Sequence, residues 1–234
     1  MEADKIEEAY SDIVDKYKNY RRTSMYPKEL YDYLATICNE NTLVWDCGTG
    51  NGQAAIILKD YFDKVIATDI SVEQIENAIL DDKIEYYVAP CDSSKIKSKS
   101  VDLVTAATCA HWFDLRKFEQ ECLRVCKEKA VVSTWWILGI PKVNSRIDQI
   151  VDKFYNEVLK PYHHELPRRA FEDDCRGIRS HCYELKFNSI GREYFTSYDF
   201  FNYFEFIEHL SSYSFFQSYF RAMESPQLNL LKKS

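Results

Sequence analysis

The apolar residues of this 234-residue chain fall into two alternating rhythms. Ile6, Tyr10, Ile13, Val14 and Tyr17 recur at the three- and four-residue spacing of one helix face. Pro27 suits the first turn of a second helix, where Leu30, Leu34 and Ile37 share a face. A compact apolar run over 42–47 then reads as a buried strand, and further runs over 64–68, 84–89, 101–107 and 129–136 read the same way. Between them, 52–61 and 71–80 read as helices, with Ser71 as N-cap and Gln74 at the capping-box position. Asp114 is placed to cap a helix carrying Leu115, Phe118, Cys122 and Val125, with Cys126 one turn beyond Cys122. This alternation predicts a three-layer, doubly wound α/β fold: a mostly parallel sheet between two layers of helices.

Past residue 140 the pattern changes. A helix is expected over 143–159, a polar loop over 161–180, and a strand over 182–187, where apolar and polar residues alternate. Aromatic residues then crowd two expected helices, 198–210 and 212–223, more of them than one core face needs. We expect them to form either a cap over a ligand pocket or a layer packed simply onto the sheet. The whole chain reads as one domain, 1–140 binding a ligand and 141–234 forming the cap and substrate side. After 223, Pro226 and the scarcity of β-branched residues argue against a closing strand. The sheet should then have about six strands and an open edge near the fifth, so we expect a monomer or weak self-association through that edge.

The chemistry concentrates at the end of the first strand. Leu43-Val44-Trp45 leads into Asp46, then into Cys47-Gly48-Thr49-Gly50-Asn51-Gly52-Gln53. Strand, glycine turn and helix form a cradle for a phosphate or nucleoside. A dinucleotide fingerprint would need a third glycine at 53, where Gln53 stands. Asp46 would also repel a pyrophosphate and suits a ligand with a positive end. The second strand ends in Asp69, placed for two ribose hydroxyls. A cationic nucleoside with a free ribose and no phosphates is S-adenosylmethionine (SAM).

Four stretches carry a resemblance: Tyr17 to Pro27, the glycine motif, Val65 to Ile70, and Val101 to Asp114 with its His111-Trp112-Phe113 run. In this order they resemble class I SAM-dependent methyltransferases, more narrowly the small-molecule branch that includes trans-aconitate methyltransferases. The resemblance covers roughly the first 140 residues. It implies a Rossmann-like fold, and a final antiparallel strand that this chain lacks a convincing segment for. It implies that Tyr20 and Arg21 close over SAM and that Asp46, Gly48, Thr49, Gly50 and Gly52 line it. Asp69 would hold the ribose, Ile70 would lie against the adenine, Asp92 would meet the adenine amino group, and Thr108 the sulfonium side. Trp112 and Trp136 are candidates for the acceptor pocket. His111 is the candidate catalytic residue, since an ordinary imidazole titrates near neutrality.

Charge and cysteine usage narrow the reading. The formal net charge is −7, which disfavours nucleic acid as a partner. No run of 18 apolar residues is present, so no membrane partner is expected. The polar, acidic N-terminus does not read as a secretory signal. Eight cysteines include no C-x-x-C pair, which points to reduced thiols in a cytoplasmic protein rather than disulfides or a metal. Methyl transfer from a sulfonium itself needs no metal. The expected function is SAM-dependent methylation of a small molecule, a carboxylate being one class of acceptor. The alternative is a non-catalytic protein that binds SAM, or its product S-adenosylhomocysteine (SAH), and needs a partner at its incomplete sheet edge.

Overall fold

The computed structural model describes residues 26–137, 141–160, 187, 191, 193–211, 213, 216, 219–220 and 222–223. Five strands form one sheet: β1 Leu43–Cys47, β2 Lys64–Asp69, β3 Ile84–Val88, β4 Val101–Ala107 and β5 Cys126–Trp135. All pair in parallel, in the order β3-β2-β1-β4-β5. The chain therefore winds outward one way from β1, then crosses over to β4 and winds the other way. Doubly wound sheets bind ligands at this crossover, beyond the carboxyl ends of the strands.

Both sheet faces are covered. One face packs against α1 (Lys28–Ile37) and α2 (Ala55–Leu58), with Tyr31, Leu34, Leu58 and Phe62 buried beside Val44, Val65 and Leu103. The other face packs against α4 (Leu115–Val125), where Phe118, Cys122 and Val125 meet Trp45, Val101 and Val104. The short α3 (Val72–Glu76) follows β2. The expected N-caps form: Ser71 Oγ accepts from Gln74 N at 3.2 Å, and Asp114 Oδ1 accepts from Lys117 N at 3.3 Å.

Some boundaries differ from expectation. The helices expected over 52–61 and 71–80 shrink to Ala55–Leu58 and Val72–Glu76, because flanking turns take the remaining residues. Cys126 does not continue the helix of Cys122. It is extended (φ −66°, ψ 138°) and opens β5 directly, so that strand starts three residues early. Later, α5 (Ser145–Phe154) is capped by the Asn144 side chain and passes into a wider π turn, Tyr155–Leu159. α6 spans Tyr203–Ser211. Phe195 packs on Tyr33 of α1, ring centroids 5.7 Å apart, whereas Tyr198, Phe200, Tyr203 and Phe204 face solvent. The helix expected over 6–17, the strand over 182–187 apart from Phe187, and the region after 223 lie outside the described residues. Among the described residues, no helix is long and apolar enough to cross a membrane.

Candidate active site at the ends of β1 and β4

The glycine turn is built against the protein as tightly as against any ligand. A Cβ on Gly48 would stand 2.6 Å from Cys109 Sγ, and one on Gly52 would stand 2.1 Å from the Tyr86 hydroxyl. Both residues also have positive φ, +68° and +97°. Gly50 differs: the nearest groups to its missing Cβ are the amide oxygens of Gln53 at 3.5 Å and Gln74 at 3.8 Å. Its side of the turn is where a ligand meets the least protein.

Two carboxylates brace this turn. Asp46 is fully buried, and its oxygens accept hydrogen bonds from Thr49 Oγ1 at 2.6 Å and Thr105 Oγ1 at 2.7 Å. The second contact follows from register, since Asp46 and Thr105 are opposite each other on β1 and β4. Burial pushes the Asp46 carboxyl up to about 6, against the pull of the two hydroxyls. Asp69 accepts from Gly50 N at 2.8 Å and Ser71 N at 3.0 Å. Its pKa is raised by burial and restrained by these backbone donors. Asp46 thus lies beneath the turn and Asp69 alongside it. Ile70 and Asp92 follow at the ends of β2 and β3, both half-buried, with Lys117 Nζ 3.9 Å from Asp92.

The opposite wall comes from β4. Thr108 has φ +57°, a conformation β-branched residues rarely adopt. It is held there by its N–H donating to Trp135 O at 2.9 Å and by a 2.8 Å hydroxyl contact with Tyr26. Such strain persists only where surrounding structure enforces it, and it clusters at ligand sites. The kink launches a 3₁₀ turn, Ala110–Trp112. His111 lies in it, its ring 5.0 Å from Trp112 and 4.4 Å edge-on from Trp136. Burial alone drives its pKa down to about 3. An imidazole of ordinary basicity was expected; this one stays neutral because its aromatic surroundings solvate a cation poorly.

Glycine turn, Asp46, Asp69, Thr108, His111, Trp112 and Trp136 therefore meet at the carboxyl ends of the strands. Tyr20 and Arg21 lie outside the described residues. Sequence reasoning missed Asn51, Gln53 and Gln74. All three are buried, and Asn51 Oδ1, Gln53 Nε2 and Gln74 Oε1 have no hydrogen-bond partner within the protein. Gln53 had counted only against a dinucleotide, and Gln74 only as a capping residue. Two long amides flanking a glycine turn were the signal available. Among the described residues, no group of three His, Cys, Asp or Glu side chains is placed to hold a metal ion.

The sheet order, the turn at its crossover and the paired acids define a nucleoside-binding α/β protein. Comparison with known proteins makes this specific. Residues 45–134 match the methyltransferase domain family. A Dictyostelium discoideum protein named as a methyltransferase is 35% identical over 178 residues, 75% of this chain and 66% of that protein. A Saccharomyces cerevisiae protein named as a SAM-dependent methyltransferase is 30% identical over 101 residues, 40% of this chain and 35% of its own length. A solved structure described as a type II methyltransferase from Anaeromyxobacter dehalogenans superposes with a TM-score of 0.69 at 27% identity, covering 86% of this chain and 82% of that one. The chain thus spans less than two thirds of the two curated relatives. Over residues 45–134 the chain is similar to methyltransferase domains, and its fold is that of the solved methyltransferase.

The residues present fit SAM. Buried amide atoms without partners cost roughly 1–3 kcal/mol each unless something pairs them. Three of them lie in or beside the glycine turn, with the Gln53 and Gln74 amides against its Gly50 side. A ligand carrying hydroxyl, amino and carboxylate groups supplies the missing partners.

Proposed function

We propose that the protein transfers a methyl group from SAM to a small-molecule acceptor, by in-line displacement and without a metal. The observation that carries this is the pair of the buried Asp46 and the half-buried Asp69, joined through the glycine turn at the sheet crossover. In this reading Asp69 holds the ribose hydroxyls. Asp46 favours the ammonium end by charge rather than contact, since Thr49 and Thr105 already occupy its oxygens. Ile70 and Asp92 face the adenine, and Tyr20 and Arg21 close over the amino-acid end. Bound SAM supplies an electrophilic methyl on a good leaving group. The protein's task is to align the acceptor behind that methyl and exclude water. Net charge favours a small acceptor over nucleic acid, and the resemblance to trans-aconitate methyltransferases makes a carboxylate one candidate. The free thiols suit a cytosolic setting.

Calorimetry with SAH and with NAD tests the reading. SAH should bind the folded protein and NAD should not. Folded protein with no heat of SAH binding would sink it, and binding without methyl transfer to any acceptor would favour a SAM-sensing role.

A further inference from the structure

Resting on the methyl-transfer reading above, we infer that the acceptor is a neutral X–H nucleophile, an aromatic or enolic hydroxyl or thiol, which His111 receives as an uncharged hydrogen-bond acceptor. Position is the first argument. The 3₁₀ turn holding His111 is pinned onto the glycine turn: Cys109 Sγ donates to Cys47 O at 3.2 Å, and the Phe113 ring lies 3.3 Å from where a Gly48 Cβ would be. His111 stands between these two anchors in sequence, so it cannot drift from the cofactor cradle. Its plane is fixed between Trp112 and Trp136. Flat apolar walls of this kind favour a flat acceptor.

The second argument is the unused capacity of the ring. His111 Nδ1 is shielded from solvent and has no partner in the protein. The residue as a whole is half-buried. A histidine kept only for packing would usually have its buried nitrogen satisfied.

The third argument is charge. Burial lowers the His111 pKa, and among the described residues no neighbouring charge contributes. Among the described residues, an acceptor carboxylate brought here would lose water without gaining a charged partner, at a cost of several kcal/mol. A neutral acceptor avoids that cost, but it must shed a proton. The bonds balance as follows. A lone pair on X attacks the methyl carbon, C–X forms as C–S breaks, and the positive charge passes from sulfur to X–H. That proton becomes strongly acidic, so even this weak imidazole takes it and passes it to water. The products are the methylated acceptor, SAH and one proton.

The test uses the full chain with catechol, thiophenol and trans-aconitate as probes and SAM labelled in its methyl group. Catechol or thiophenol should be methylated and trans-aconitate should not. His111→Ala should lower kcat about 100-fold or more, the usual scale for a lost proton acceptor, with KM changed only a few-fold. His111→Gln should recover KM but not kcat, because an amide accepts a hydrogen bond without taking the proton. SAH affinity, read by calorimetry, should be unchanged in both variants. In wild-type protein bound to SAH, the His111 ring signals in NMR should shift on adding catechol. Should both variants misfold, this last readout still decides. The inference is overturned if SAH binds while only trans-aconitate is methylated, if neither protic probe is, or if His111→Ala turns over at the wild-type rate. Absence of SAH binding would instead remove the methyl-transfer reading itself.

Discussion

At the scale of single residues, the site is bought with stability. Asp46 is the clearest case. Its folded-state pKa of about 6 lies above the ordinary 3.8, so the folded state holds the proton more tightly than the unfolded chain. The contribution of Asp46 to stability is therefore fully present below about pH 4 and is lost as pH rises through about 6. Two pKa units correspond to about 3 kcal/mol. Asp46→Asn keeps the shape and can still pair with both threonine hydroxyls. Urea denaturation should show it more stable than wild type by about 1–3 kcal/mol at pH 7.5, with the gap closing near pH 4. SAH affinity should fall. A variant less stable at pH 7.5 would mean the carboxylate is net stabilising, and this account of it would be wrong. The strain at Thr108 belongs to the same class: a local cost held in place by Tyr26 and Trp135.

At the scale of elements, the far end of the sheet shows the opposite economy. Asp102, 5% exposed, accepts from Thr42 N at 3.0 Å and Leu43 N at 2.9 Å, and pairs with Lys127 Nζ at 2.8 Å. One side chain thus ties the starts of β1, β4 and β5 together. Burial alone would raise its pKa, but Lys127 and the donors around it outweigh that and hold it below the usual range. Its contribution is present at neutral pH and is lost as pH falls through its lowered pKa. Asp102→Ala should cost about 2–3 kcal/mol in denaturant unfolding while leaving SAH affinity within a few-fold. A change below about 0.5 kcal/mol would show that the clasp is solvated and weak. The strands themselves were legible in the sequence, because parallel strands buried on both faces read as continuous apolar runs. The capping residues Ser71 and Asp114 were legible for the same local reason. Helix lengths were not, since the turn after Gly52 competes with helix over residues of similar propensity. Nor were the partners of Asp46: which threonine faces it depends on the β1–β4 register, spanning 59 residues of chain. The basicity of His111 was out of reach too, being set by its burial in the fold, with Trp136, just past β5, among its neighbours.

At the scale of the whole molecule, ligand and fold are linked. The amides of Asn51, Gln53 and Gln74, unpaired within the protein, are a cost that a bound nucleoside should relieve. SAH at 100 times its Kd should add about 2.7 kcal/mol and raise Tm by several degrees. EDTA should leave Tm unchanged, and a Tm that fell on chelation would refute the metal-free reading.

The thiols packed around β1 carry a further consequence. Cys47 and Cys122 are buried in the core beside α4, with Cys91, Cys109 and Cys126 packed against it, and burial raises the pKa of all five. An alkylating reagent meets all five as protonated groups, with Cys47 and Cys122 fully shielded and the other three half-buried, so labelling depends on opening of the structure. Each cysteine is then a site-specific clock. Cys109 times the glycine turn and Cys122 times α4 against the sheet. Because Cys109 lies directly under Gly48, a ligand seated on the turn slows one clock more than the other. Occupancy of the cradle can thus be followed by mass spectrometry of alkylated peptides, with no acceptor in hand.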